Sequence, residues 1–178
     1  MVRARLVAVV RGSRRLNHYQ RHIGAGCLCS AAKSFNAVLR QRKIELLSTS
    51  LNEFYNPLLA LIDINGEIFA KTGPKSFPKE EPGLSAAGLV WQGTKRKVLT
   101  NNADIEQILR TKSHLIQGPD TLEAYQPLLL HVAMYETFQE IETDLYKQFL
   151  FPAGIRDHIA QQRLAVLETY YHASGEQI

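Results

Sequence analysis

Lys43-Ile44-Glu45-Leu46-Leu47-Ser48-Thr49-Ser50-Leu51-Asn52-Glu53-Phe54-Tyr55-Asn56-Pro57-Leu58-Leu59-Ala60-Leu61-Ile62 is the stretch that decides the fold. Within it Ile44, Leu47, Leu51, Phe54, Leu58 and Leu61 follow one another in alternating steps of three and four. That spacing draws one stripe along an α-helix, because side chains three and four apart share a face, whereas a half-buried strand would alternate every second residue. Pro57 interrupts the stripe, since it has no N–H and its ring crowds the carbonyl four residues back. Asn56 just before it reads as an N-cap, with proline favoured at the first helical position. The segment is therefore one helix kinked at Pro57 or two helices meeting there. In both cases the stripe faces a common core.

Working outward, Ile68 and Phe69 extend the same face to about Ala70. Thr72 to Gly93 then collects Gly73, Pro74, Pro78, Pro82, Gly83, Gly88 and Gly93, which predicts the longest loop, with Trp91 docking it or opening a short helix that ends near Leu99. Asn101 or Asn102, followed by Asp104 and Glu106, reads as a capped start, because side-chain oxygens accept orphan N–H groups and acids suit the positive helix end. That helix runs through Ile105, Ile108, Leu109 and Leu115 to Ile116, where Gly118 and Pro119 stop it. Asp120 or Thr121 opens a long amphipathic helix through Leu129, Val132, Tyr135, Phe138, Ile141 and Leu145 to about Phe151. Pro152 and Gly154 precede a final helix carrying Ile155, Ile159, Val166, Leu167 and Tyr170. No strand-like alternation of comparable length competes, and there is no internal repeat. The fold class read from this pattern is all-α: an irregular antiparallel bundle of four or five helices over residues 34–178, preceded by a loose basic arm, residues 1–33.

Charge separates the same two parts. The chain holds 21 Lys or Arg and 17 Asp or Glu, yet the first 44 residues contain no acid at all. A segment of like charges repels itself and stays extended unless an anionic partner neutralises it. Arg3, Arg5, Arg11, Arg14, Arg15 and Arg21 are the candidate anion contacts in this arm, either on an anionic membrane surface or, as the alternative, on nucleic acid. The arm is also compatible with an organellar transit peptide. Cys27 and Cys29 are separated by one residue, a spacing that matches neither zinc nor thioredoxin motifs, and they read as a reduced cytosolic pair. The longest apolar runs, Leu6 to Val10 and Pro57 to Ile62, fall far short of the ~20 residues that a spanning helix needs. The localisation expected is cytoplasmic, with possible attachment to a membrane surface. With 178 residues, 45% of them apolar, the chain can bury about two thirds of its unfolded surface in one core.

The chemistry-bearing motifs are missing. A carboxylate-bridged metal pair in a bundle needs Glu-x-x-His on two helices, and no such string occurs. There is no His-Glu-x-x-His, no Gly-x-Ser-x-Gly, no phosphate-binding loop and no dinucleotide fingerprint. His114 and His131 lie among apolar neighbours, in Ser-His-Leu-Ile and Leu-Leu-His-Val, where a half-buried imidazole bonded to a backbone carbonyl is expected rather than a base with a positioned acid. Glu136, Glu140 and Asp144 recur every four residues and read as a solvated stripe. No enzymatic activity and no cofactor is expected.

The strings Leu51-Asn52-Glu53-Phe54-Tyr55-Asn56-Pro57-Leu58, Lys112-Ser113-His114-Leu115-Ile116 and His131-Val132-Ala133-Met134-Tyr135-Glu136 resemble a set of uncharacterised, mostly bacterial helical proteins built around Leu-Asn-x-Phe-Tyr-x-Pro-Leu. The likeness covers about residues 43 to 171. It implies a helical fold and leaves activity open. Such proteins often carry a membrane-spanning helix ahead of the first long helix, a feature this sequence does not share. A soluble variant, a surface-binding variant or an N-terminus extended beyond the natural start would each account for the difference. Asn52, Tyr55 and Pro57 of the shared segment, with His114 and His131, are the candidate interaction or structural residues. The function expected is a non-enzymatic interaction or scaffold domain that binds another protein, with a homo-oligomer through the Leu51 and Leu58 stripe as a further possibility.

Overall fold

In the computed structural model, residues 32–76, 86–141 and 144–176 are described. Helical backbone runs over 32–50 (α1), passes through a π-helical turn at Leu51–Tyr55 and continues as α2, Asn56–Thr72. Ser50, Tyr55 and Asn56 all hold right-handed helical angles, so the chain neither stops nor restarts at Pro57. Asn56 is thus not the cap the sequence suggested. Its N–H bonds the Leu51 carbonyl five residues back, and its Oδ1 accepts from Arg163 Nε at 2.6 Å. In an unbroken α-helix the Pro57 ring would meet the Glu53 carbonyl; the wider turn absorbs that misfit at one bulge.

The remaining elements are α3 (Ala86–Thr111), α4 (Gln126–Glu140) and α5 (Ile155–Ser174). Single turns of 3-10 helix lie at Pro74–Ser76, Ser113–Leu115 and Leu122–Tyr125, and a longer 3-10 stretch at Asp144–Phe149. No strand occurs among the described residues. The protein is an all-α bundle. Residues up to Lys43 and residues from Ile44 onward form two separate units. In the first, residues 32–43 are helical and exposed. The second begins at Ile44, where the apolar stripe begins. The expectations placed on residues 1–31, including the six arginines and both cysteines, lie outside the described residues.

α2 is flanked by two antiparallel neighbours. Against α3, Glu53 pairs with Lys112, Asn65 with Asn101 and Asn102, and Thr72 with Thr94, each step forward on α2 matched by a step back on α3. Against α5, Asn56 meets Arg163 and Asp63 meets Arg156 in the same opposed sense. α4 packs on α3. The stripe lies in the core as read: Leu47, Leu51, Phe54 and Leu58 are buried, with Ile44 and Leu61 half-buried at its ends. Ile105, Leu109, Leu115, Tyr125, Leu128, Val132, Ile155, Ile159 and Val166 complete it.

Two elements depart from the sequence reading. α3 is one helix of 26 residues, so Gly88, Trp91 and Gly93 are helical and Asn101 and Asn102 lie inside it, buried. Trp91 is buried edge-on to Phe69 of α2, ring centroids 5.1 Å apart. α4 ends at Glu140, well short of Phe151, and leaves Ile141 and Leu145 exposed. The chain folds back instead. A straight helix would hold residues 131 and 149 about 27 Å apart, yet His131 Nδ1 lies 2.6 Å from the Phe149 carbonyl. Phe138 stacks on Phe149 in the same reversal.

Candidate functional site

The π-turn segment presents two faces, and each builds a distinct feature. Its inner face carries Ser50 and Tyr55 into a buried polar cluster. The Gln117 N–H donates to the Tyr55 hydroxyl at 3.1 Å, and Gln117 Nε2 donates to Ser50 Oγ at 3.0 Å. The Tyr125 hydroxyl donates to Asp120 Oδ2 at 2.6 Å, while the Thr121 N–H and His158 Nε2 donate to Asp120 Oδ1 at 3.1 and 3.2 Å. The Asp120 side chain is only 4% exposed. A carboxylate at that depth is tolerated because three donors replace its water.

This cluster fixes protons in place. Burial, reinforced by the bond to Asp120, pushes the Tyr125 phenol far above its ordinary range. Burial likewise raises Tyr55, against the opposing bond from Gln117. Both phenols therefore stay protonated at neutral pH and serve as hydrogen-bonding links rather than bases. The cluster ties the segment after α3 to the π-turn, the 3-10 turn at Leu122–Tyr125 and α5. Phe54 seals it on the apolar side, edge-on to both Tyr55 and Tyr125 at 5.0 and 5.6 Å.

The outer face of the segment lines an open groove of about 520 Å³ between α2 and α3. Glu53, Pro57, Ala60 and Leu61 form one wall; Asp104, Gln107, Ile108, Thr111 and Lys112 form the other. Both walls follow the helical spacing of one face, so the groove runs about two turns. Glu53 pairs with Lys112 at one end and Asn65 bonds Asn101 and Asn102 beyond the other, so helical spacing from these two points brings Pro57 level with Ile108 and Leu61 level with Asp104. Among the described residues Asp104 has no ion-pair partner. Glu106, two residues on, is bonded to Arg110.

Of the residues singled out from sequence, the structure brings Tyr55 into the polar cluster and Pro57 into the groove. Asn52 is exposed on the π-turn and donates to Ser48 Oγ at 3.4 Å. His114 is exposed on the turn after α3 and joins neither feature. His131 is half-buried, its Nδ1 bonded to the Phe149 carbonyl as expected for that setting, so Nδ1 carries the proton. Desolvation lowers its affinity for a second proton, against the opposing effect of that carbonyl. Sequence reasoning missed Ser50, Gln117, Asp120, Tyr125 and His158. Asp120 was visible only as a helix-start residue, and nothing local links His158 to it, 38 positions away.

Among the described residues no group of three His, Cys, Asp or Glu side chains is placed to hold a metal ion, and no helix is long and apolar enough to cross a membrane. No family model, curated protein or solved structure matches the chain.

Proposed function

We propose that the helical body is a non-enzymatic protein-interaction domain and that the α2–α3 groove is where its partner docks. One observation carries this reading: the π-turn commits its inner face to a self-satisfied polar lock, while the first turns of α2 leave Ala60 exposed and Pro57 and Leu61 partly exposed along a concave surface. The lock supports the same reading, because its donors and acceptors are committed to one another and hold the groove's wall rigid. Apolar side chains on matched helical faces are the geometry by which a helix pair accepts a third helix.

The test is position-specific cross-linking in cells that make the full chain, with a photoreactive residue at Ala60 or, as a control, at Leu164, which is also exposed but lies on α5. A discrete adduct from position 60, absent from position 164, whose partner then binds the purified chain, is the expected result. Equal labelling at both positions, or none at 60, would overturn the proposal.

A further inference from the structure

Resting on the docking reading above, we infer that the groove takes an amphipathic helix carrying a Lys or Arg one helical turn from a Leu, Ile or Met, with the cation on Asp104 and the aliphatic side chain between Pro57, Leu61 and Ile108. The groove's charges are unevenly settled. At one end Glu53 and Lys112 neutralise each other. At the other, Asp104 lines the cleft together with Ala60 and Leu61 and has no ion-pair partner among the described residues, whereas its helical neighbour Glu106 has its own cation in Arg110. A partner that covered Asp104 with an apolar or acidic side chain would strip water from a carboxylate without supplying a counter-charge, which weakens binding. A Lys or Arg removes that cost and rejects acidic competitors.

Spacing adds the rest of the motif. Asp104 and Ile108 are four residues apart on α3, hence one turn apart on one face. A helix lying along the groove meets both only if its own cation and aliphatic residue stand three or four positions apart. The two-turn length sets a minimum of about eight residues on the partner.

Random 16-residue peptides displayed against the immobilised full chain test the inference. Recovered binders are expected to be enriched in Lys or Arg three or four positions from Leu, Ile or Met. Measured by fluorescence anisotropy, they should bind about fivefold more weakly to Asp104→Asn and about tenfold or more weakly to Asp104→Lys. Ala60→Trp and Thr111→Trp, which fill the cleft from exposed positions on opposite walls, should both abolish binding while the helical circular dichroism stays unchanged. Binders blocked by the two tryptophans but lacking the cation, or indifferent to Asp104→Lys, would overturn the inference and leave the docking reading intact. Binders that neither tryptophan blocks, or no binders, would overturn both. A full-chain dimer in sedimentation that Ala60→Trp dissociates would assign the groove to a second copy and likewise overturn the inference.

Discussion

Replacing Tyr125 by Phe removes one hydroxyl from the buried cluster and nothing else of consequence. The ring is fully buried, so the substitution preserves its volume and its edge contact with Phe54 at 5.6 Å, and no cavity opens. What disappears is the 2.6 Å donation to a carboxylate 4% exposed. Hydrogen bonds to charged groups contribute about 1.5–3 kcal/mol. Because the Thr121 N–H and His158 Nε2 still hold Asp120, the carboxylate is weakened rather than orphaned. We expect a loss of about 2 kcal/mol, near the middle of that range. With a slope of about 2 kcal/mol per molar urea for a chain of this size, the unfolding midpoint should fall by about 1 M. Urea titration of the full chain followed by circular dichroism at neutral pH reads this directly. Tyr146→Phe, at an exposed ring with no hydroxyl partner among the described residues, serves as the control and should stay within about 0.5 kcal/mol. A Tyr125→Phe effect no larger than the control's would refute the claim that the Asp120 cluster locks the bundle. A double-mutant cycle with Asp120→Asn sharpens the test, since bonded partners should couple by at least about 0.5 kcal/mol.

Two further outcomes follow from the same geometry. Asn65→Ala should destabilise by about 2 kcal/mol in urea titration, because it strips the partners from Asn101 Nδ2 and Asn102 Oδ1, both on residues at most 5% exposed; a value under 0.5 kcal/mol would mean water replaces Asn65 there. His131 should make stability fall on acidification. Its imidazole binds a proton less readily when folded than the ordinary histidine of the unfolded chain, so below about pH 6.5 the unfolded state takes up protons first and is favoured, while above that pH the residue contributes no slope. His131→Asn should flatten the decline between pH 6.5 and 5 in melts read by circular dichroism, and an unchanged slope would remove His131 as its source.

The two faces of Leu51–Leu58 show how far local pattern reaches. Phe54 and Leu58 are fully buried where a three-and-four spacing put them, and Ile155, Ile159 and Val166 follow the same rule on α5. Spacing reads correctly because burial of one helical face is a property of the helix itself. Asn101 and Asn102 were legible as polar residues that need partners, but an N-cap and a buried clasp use the same side chain. Only Asn65, lying across the bundle, decided between them. The early end of α4 was hidden for a related reason: Ile141 and Leu145 keep helical spacing, while the Phe149 carbonyl on His131 and the Phe138–Phe149 stack favour a reversal that no local propensity records.

By itself the sequence determined the helical class, the core stripe, the charge imbalance and the scarcity of catalytic motifs, since each depends on residue type and on spacing within a turn or two. Tertiary structure alone decided that Pro57 sits behind a π-turn, that Tyr125 and His158 both donate to Asp120, and that Asp104 lines a groove with Pro57, Ala60 and Leu61 without an ion-pair partner among the described residues. The bond from His158 to Asp120 spans 38 positions and that from Gln117 to Tyr55 spans 62. The free energy that brings them together comes from packing whole helices, to which no single segment holds the key.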